Sequence, residues 1–196
     1  IKKMKGLEQA IVLAQKAKAL DPSLPLAHTR LGYLYTRNRQ YELGIAEARR
    51  AIELEPNFAE GHARLGEVLN LSGKPEEGLE RVKAAMRLNP HYPGEFLYNL
   101  GQSYYLLRRD EEAIAVLKRA SARNPKSKGP RRHLAALYAN ADRMEEAQAQ
   151  VTALLAISSK ESIKMQLLDC AYVPEFLDRF ISDLRKAGYP EKPEAT

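Results

Sequence analysis

The sequence predicts an all-α solenoid, an array of stacked helix–turn–helix units closed by a C-terminal capping helix. Three observations carry this prediction. The prolines Pro22, Pro56, Pro90 and Pro125 follow one another at steps of 34, 34 and 35 residues. Small residues keep nearly the same step, in the series Ala10, Gly44, Gly78, Ala113, Ala147 and the series Ala17, Ala51, Ala85, Ala120. Two more series run in register: Leu31-Gly32, Leu65-Gly66, Leu100-Gly101, Leu134-Ala135, and Tyr35, Leu69, Tyr104, Tyr138. Self-similarity at a fixed period of this length marks a repeat architecture. The chain is 44% hydrophobic and 29% charged, which suits a folded protein and argues against disorder along most of its length.

The elements come in order. Residues 6–20, with Ala10 and Ala17, have the pattern of a second helix alone, so the sequence starts in mid-unit and reads as a piece of a longer protein. In the next unit Leu31, Leu34 and Tyr35 mark one face of a first helix, and Ile45, Ala48, Ile52 and Leu54 one face of a second. Two antiparallel helices approach closely only where side chains are small, so glycine or alanine belongs at each crossing and a large apolar residue fills the space beside it. Polar turns such as Thr36–Gln40 and Ser72–Pro75 separate the helices, and Pro75 suits a first helical turn, where its missing N–H is not needed. Each repeating proline stops a second helix because it cannot continue the hydrogen-bond ladder. Asn89 and Asn124, just before their prolines, suit the departure from helical geometry. The pairs Glu76-Glu77, Glu111-Glu112 and Glu145-Glu146 recur where second helices begin. There the helix dipole favours negative charge, which accounts for them without paired catalytic acids.

After Ser159 the period stops. Ile163, Leu167 and Leu168 predict one short helix. Pro174 opens another, with Phe176, Leu177, Phe180, Ile181 and Leu184 on an apolar face and Asp178, Arg179, Asp183 and Arg185 on the other. Gly188 ends it, with Pro190 close behind. A solenoid end exposes the face that another unit would have covered, so this helix reads as a cap, with a docking helix for a second protein as the alternative. The expected division is an array over 1–159, capping helices over 160–188 and a disordered tail over 189–196.

A 34-residue helical hairpin with Leu-Gly, then Tyr, Ala, Ala and Pro resembles the tetratricopeptide repeat. The resemblance covers residues 1–159 as a half-repeat and four full repeats at 25–58, 59–92, 94–127 and 128–159. It implies a right-handed solenoid whose first helices line a concave groove, acting as a protein–protein interaction scaffold and not as an enzyme. The sequence departs from the pattern at its usual tryptophan, replaced by His28, His62, Leu97 and Arg131, and in the last repeat, where Leu154 and Ser159 replace alanine and proline. By resemblance the groove positions fall on Thr29, Tyr33, Thr36 and Arg37, then Glu60, Glu67 and Asn70, then Glu95, Tyr98, Gln102 and Tyr105, then Arg132 and Asn140. This mixed wall suits an extended peptide or a helix of a partner, although Tyr33 and Tyr105 read equally as packing between repeats. The lysine–asparagine clamp with which some repeats grip chaperone C-termini has no counterpart at Thr29, Tyr33, Arg64, Glu95 and Asn99, so no chaperone tail is expected. The stretches Phe176–Phe180 and Leu184–Glu191 are similar to the endings of bacterial tetratricopeptide proteins, among them class III adenylate/guanylate cyclases. That similarity implies an alternative, a C-terminal regulatory or self-association module of a larger bacterial signalling protein, with a homo-oligomer among the expected forms.

No phosphate-cradling glycine loop, paired-cysteine motif or His-Glu-x-x-His occurs, so no catalytic residue, metal or cofactor is expected. His28 and His62 occupy equivalent positions one repeat apart, and a shared metal would have to sit within about 2.1 Å of both; packing is the better reading. His91 lies in a turn, and His133 is flanked by arginine with no carboxylate or cysteine nearby in sequence. Cys170 is alone, which excludes an intrachain disulfide and reads as packing. No apolar run approaches the roughly 18 residues that span a bilayer, and the basic start, Ile1 to Lys5, precedes too short an apolar stretch for a signal peptide. The expected location is cytoplasmic. The net charge of +6 is modest. A basic run gathers Lys118, Arg119, Arg123, Lys126, Lys128, Arg131 and Arg132 with no acidic residue between them. It reads first as a solubilising surface and otherwise as a site for an acidic peptide, membrane phosphates or nucleic acid. It lacks the interleaved aromatics of a single-strand binder, and with the solubilising surface as the default reading, nucleic acid and anionic membrane are disfavoured.

Overall fold

The computed structural model describes residues 2–193, with side chains from Gly6 onward. Among these residues there are eleven helices and no strand: α1 (Lys2–Leu20), α2 (Pro25–Arg37), α3 (Tyr41–Leu54), α4 (Ala59–Leu71), α5 (Pro75–Leu88), α6 (Gly94–Leu106), α7 (Asp110–Arg123), α8 (Lys128–Asn140), α9 (Met144–Ile157), α10 (Ile163–Asp169) and α11 (Pro174–Lys186). The chain divides into two compact units, Ile1–Tyr92 and Pro93–Thr196. The division falls inside the array, where the segment between Pro90 and α6 is one residue longer than its counterparts before α2, α4 and α8.

In the first unit α1 packs on α2, and the hairpins α2–α3 and α4–α5 stack through α3 against α4 and α2 beside α4. Ile45, Ala48, Leu65, Val68 and Leu69 form a common core across that junction. The small-residue crossings are as close as the sequence requires. A Cβ on Gly32 would stand 2.9 Å from the carbonyl oxygen of Gly44, and one on Gly66 would stand 3.0 Å from that of Gly78. In the second unit the hairpins are α6–α7 and α8–α9, with α7 packed on α8; Ala113, Ala135 and Ala147 are buried completely.

Every hairpin turns through the same device. The N–H groups of Gln40, Lys74, Arg109 and Arg143 donate to the carbonyls of Tyr35, Leu69, Tyr104 and Tyr138, each over 2.9 Å. This is a six-to-one helix-ending bond that needs a left-handed residue just before the donor. That residue is Arg39 (φ 61°), Gly73 (φ 83°), Arg108 (φ 59°) and Asp142 (φ 56°) in turn. Only the second hairpin supplies the glycine that adopts this conformation without a Cβ penalty. Gly73→Ala is therefore expected to lower stability by about 1 kcal/mol, whereas Arg108→Gly holds or raises it; urea unfolding followed by circular dichroism reads both.

The histidines that replace the usual tryptophan secure the loops between repeats. His28 Nε2 donates to the Pro22 carbonyl and His62 Nε2 to the Pro56 carbonyl, each over 2.9 Å. At the same repeat position Arg131 reaches the Pro125 carbonyl at 3.4 Å. The packing expected of His28 and His62 thus comes with a directed bond to a backbone group six residues earlier.

The C-terminal segment departs from expectation in three ways. Leu167 and Leu168 of α10 are exposed, and its inward residues are Ile163 and Gln166. Asp183 does not share the outer face of α11 with Asp178 and Arg185 but is buried. The expected disordered tail is tied down at its start: Tyr189 is buried, and the carbonyls of Pro190 and Glu191 accept from the N–H groups of Ile163 and Lys164 at 2.8 and 3.1 Å. Residues 194–196, the rest of that expected tail, lie outside the described residues.

Candidate functional site

The predicted groove positions lie on α2 and α4 in the first unit and on α6 and α8 in the second. In the first unit the structure removes three of them from the surface. Thr29 and Thr36 are buried, with hydroxyls donating to the Leu26 and Gly32 carbonyls at 2.9 Å, and Asn70 is buried completely. Short polar side chains so close to the hairpin crossing satisfy the helix backbone and neighbouring groups instead of a partner. Tyr33 and Arg37 remain half-buried and Glu60 exposed, while Glu67 keeps 14% of its side chain at the surface. Arg64, which the groove pattern passes over, joins them: its guanidinium lies 4.9 Å from the centre of the Tyr33 ring and pairs with Glu67 one helical turn away. Planar guanidinium on an aromatic face, held by a carboxylate, is a rigid contact platform with little entropy left to lose.

In the second unit the groove positions meet the chain's own C-terminal segment. Tyr105 and Gln102 are buried, contrary to an open wall. The Tyr105 hydroxyl donates to Asp183 over 2.5 Å, Arg179 donates to the Tyr105 carbonyl over 3.2 Å, and the Arg179 guanidinium lies 4.8 Å from the Tyr105 ring centre. Burial, with Asp183 adding to it, pushes the Tyr105 hydroxyl pKa well above its ordinary value. Gln102 Nε2 donates to the Tyr172 hydroxyl over 2.8 Å, and that hydroxyl lies 2.9 Å from His133 Nε2. His133 Nδ1 is 3.0 Å from the Gly129 carbonyl, which can only accept. Nδ1 therefore carries the proton and Nε2 accepts from Tyr172. The His133 ring stacks on Phe180 at 4.7 Å and meets Tyr98 and Tyr105 edge-on at 5.6 and 5.1 Å. Enclosed in this way, the imidazole has its pKa lowered by burial to about 4, with Arg132 and Arg179 acting in the same direction.

Arg132, the remaining inward cation, is also engaged. Its Nε lies 2.9 Å from Glu161, whose carboxylate also receives Lys128 at 2.7 Å, the Tyr189 hydroxyl at 2.5 Å and Gln166 at 3.3 Å. Burial alone would raise the Glu161 pKa, but the hydrogen bonds from Arg132, Lys128 and Tyr189 outweigh it and hold it at about 2. The basic run is thereby divided. Lys128 and Arg132 turn onto Glu161, and Arg131 reaches Gln150 and the Pro125 carbonyl. Lys118, Arg119, Arg123 and Lys126 stay on the exposed side. Glu95 is exposed and Tyr98 and Asn140 half-buried; Glu95, Tyr98 and Arg123 line a cleft of about 580 Å³ together with Ser127 and Pro130.

Sequence reasoning missed Glu161, Tyr172 and Asp183 as contacts of the inner helices. None stands in a repeat register, so no periodic signal marks them. Among the described residues no group of three or more His, Cys, Asp or Glu is placed to hold a metal ion, and no helix is long and apolar enough to cross a membrane. Cys170 is half-buried. Of the residues behind the cyclase resemblance, Leu177, Phe180, Leu184, Ala187 and Tyr189 are buried within the second unit, whereas Asp178, Arg185, Lys186 and Glu191 are exposed.

Comparison with known proteins agrees with the geometry. Tetratricopeptide-repeat profiles match residues 26–58, 69–128 and 109–167, the last two together spanning half of the chain. No curated protein sequence matches. Among solved structures, the chain is similar to TTC0263, a thermophilic tetratricopeptide protein of Thermus thermophilus, at a TM-score of 0.71 and 23% identity over 94% of this chain and 93% of that one. It is similar to PilW, a type IV pilus biogenesis factor, at 0.70 and 21% over 95% and 84%. It is also similar to YrrB, a tetratricopeptide protein with an unusual peptide-binding site, at 0.57 and 20% over 89% and 90%. The fold is an all-α tetratricopeptide solenoid, and the chain belongs to the tetratricopeptide-repeat family.

Proposed function

We propose that the chain is a binding module that takes a peptide or helix of a protein partner on the inner helices of its first unit. The tetratricopeptide fold supports an interaction scaffold in general terms. The observation that carries the specific site is the Tyr33–Arg64–Glu67 platform, with Arg37 and Glu60 beside it, because in the second unit the positions equivalent to Tyr33 and Arg64, namely Gln102 and His133, are already covered by Tyr172 and Phe180. Tyrosine and arginine, rigid and amphipathic, are the residues that dominate binding energy at protein interfaces. YrrB supplies a precedent for peptide binding on this architecture.

The test is a comparative pull-down from the source organism with the wild-type chain, a Tyr33→Ala/Arg64→Ala variant and a control on the exposed side of α5, Glu80→Ala. Proteins enriched by the wild type and the control should fall at least about tenfold with the double variant, the loss of one or two interface anchors. Equal enrichment by all three would remove this surface from the account.

A further inference from the structure

The inner surface of α6 and α8 is covered by the chain's own residues 161–191. At each junction between consecutive repeats within a unit, the incoming inner helix packs against the preceding outer helix, as α4 does on α3 and α8 on α7. A plain end cap would repeat that arrangement on α9. Among the described residues α11 instead packs on α8 and α10, and its side chains reach across to Tyr105 of α6.

The segment covers polar groups as well as apolar ones: Gln102 donates to Tyr172, Tyr105 to Asp183 and Arg132 to Glu161, His133 accepts from Tyr172, and Arg179 donates to the Tyr105 carbonyl. A buried patch of aromatic, amide and guanidinium groups joined by several hydrogen bonds is the chemistry of a protein interface. The segment approaches as interface helices do. Leu177, Phe180, Ile181 and Leu184 face inward at helical spacing, while Glu175, Asp178, Ser182, Arg185 and Lys186 stay in solvent. The link from α9 to the segment, Ser159 and Lys160, is exposed, as are Leu167 and Leu168 of the seven-residue α10, while Glu161, Ser162, Ile163 and Gln166 are buried.

We infer that the inner face of α6 and α8 is a second binding site, for an amphipathic partner helix that carries phenylalanine followed three residues later by aspartate, with a tyrosine ahead of it, and that residues 161–191 occupy this site until such a helix displaces them. The inference extends to the second unit the reading of inner helices as binding surface. Its test does not touch Tyr33 or Arg64, so the two fail separately. Phe180 supplies the apolar anchor against His133, Asp183 the acceptor for Tyr105, and Tyr172 the hydroxyl between Gln102 and His133.

The probe is a fluorescent synthetic peptide of residues 161–191, titrated by anisotropy against the full wild-type chain and the full chain carrying Phe180→Ala and Asp183→Ala. In the wild type the resident segment competes, so the variant should bind the peptide at least about tenfold more tightly, since apparent affinity scales with the fraction of open sites. A peptide bearing the same two changes should bind neither chain. A peptide that keeps the inward residues but replaces the solvent-facing ones should bind the variant within about tenfold of the native peptide, because specificity lies in the anchors; its failure would overturn the partner chemistry. A variant whose α6 and α8 amides stay protected from exchange yet binds no peptide would overturn the site. If the variant does not fold, hydrogen exchange in the wild type decides. The α11 amides should exchange through an opening that leaves α8 closed, and exchange of α8 and α11 in a single cooperative step would overturn displacement.

Discussion

Glu161→Ala should destabilise the chain by about 3 kcal/mol, the range for removing one partner of a buried ion pair. The carboxylate is almost wholly buried and is met by Arg132, Lys128, Tyr189 and Gln166 at once. Alanine would leave the half-buried Arg132 guanidinium facing a hole and the Tyr189 hydroxyl without its acceptor. The loss comes mainly from stranded donors, so Glu161→Gln, which keeps an acceptor oxygen but no charge, should lose roughly half as much. The Arg132→Ala/Glu161→Ala pair should then be less damaging than the sum of its singles by about 1 kcal/mol or more, as for residues in one network. Urea unfolding by far-ultraviolet circular dichroism measures the four variants against the wild type. Additive singles would show that Glu161 and Arg132 do not act as a unit.

The repeat was legible because its causes are local and recur. Gly32 against Gly44 and Gly66 against Gly78 are steric necessities written into the sequence at a fixed step, and each proline marks a helix end that no side chain could conceal. The left-handed turn residue was legible only at Gly73. Arg39, Arg108 and Asp142 adopt the same backbone with residue types that give no sign of it, and only their register with Gly73 could have pointed there. The groove was half legible. The family pattern places Tyr33, Glu67, Tyr98 and Arg132 on inner helices, but it cannot say that Tyr105 and Gln102 are covered, because their covering residues, Asp183 and Tyr172, stand 78 and 70 positions away in sequence.

The C-terminal segment misled for a related reason. Amphipathic reading sorts Asp183 and Arg179 to the wet face by polarity alone. In the structure Asp183 is buried with a tyrosine hydroxyl to accept, and Arg179 spreads over the same ring. Polarity predicts exposure only when no partner is at hand. Here the partners are the polar groups of an inner wall, so a segment built to cover that wall carries polar residues on its buried side. The same exchange of roles explains why residues expected to greet a partner are occupied.

Acid should loosen the second unit in two separable stages. His133 is neutral and enclosed, with a pKa near 4 against an ordinary 6.5. As pH falls below 6.5 the unfolded chain takes up a proton that the folded chain refuses. Stability is therefore complete above that point and is lost progressively until the folded form also protonates near 4. The displacement corresponds to about 3 kcal/mol at most. Glu161 acts lower: its folded pKa of about 2 lies below the ordinary 4.5, so its contribution is intact above 4.5 and disappears as pH falls toward 2. The urea midpoint of the wild-type chain should thus decline from pH 6.5 to 4 and again below 4.5. His133→Gln, which can still donate to Gly129 and accept from Tyr172, should flatten the upper stage and leave the lower one. Glu161→Gln should do the reverse. A wild-type midpoint that stays level between pH 6.5 and 5 would mean that His133 is not held neutral beneath Phe180, and the closed arrangement of α11 over α6 and α8 would lose its chief electrostatic consequence.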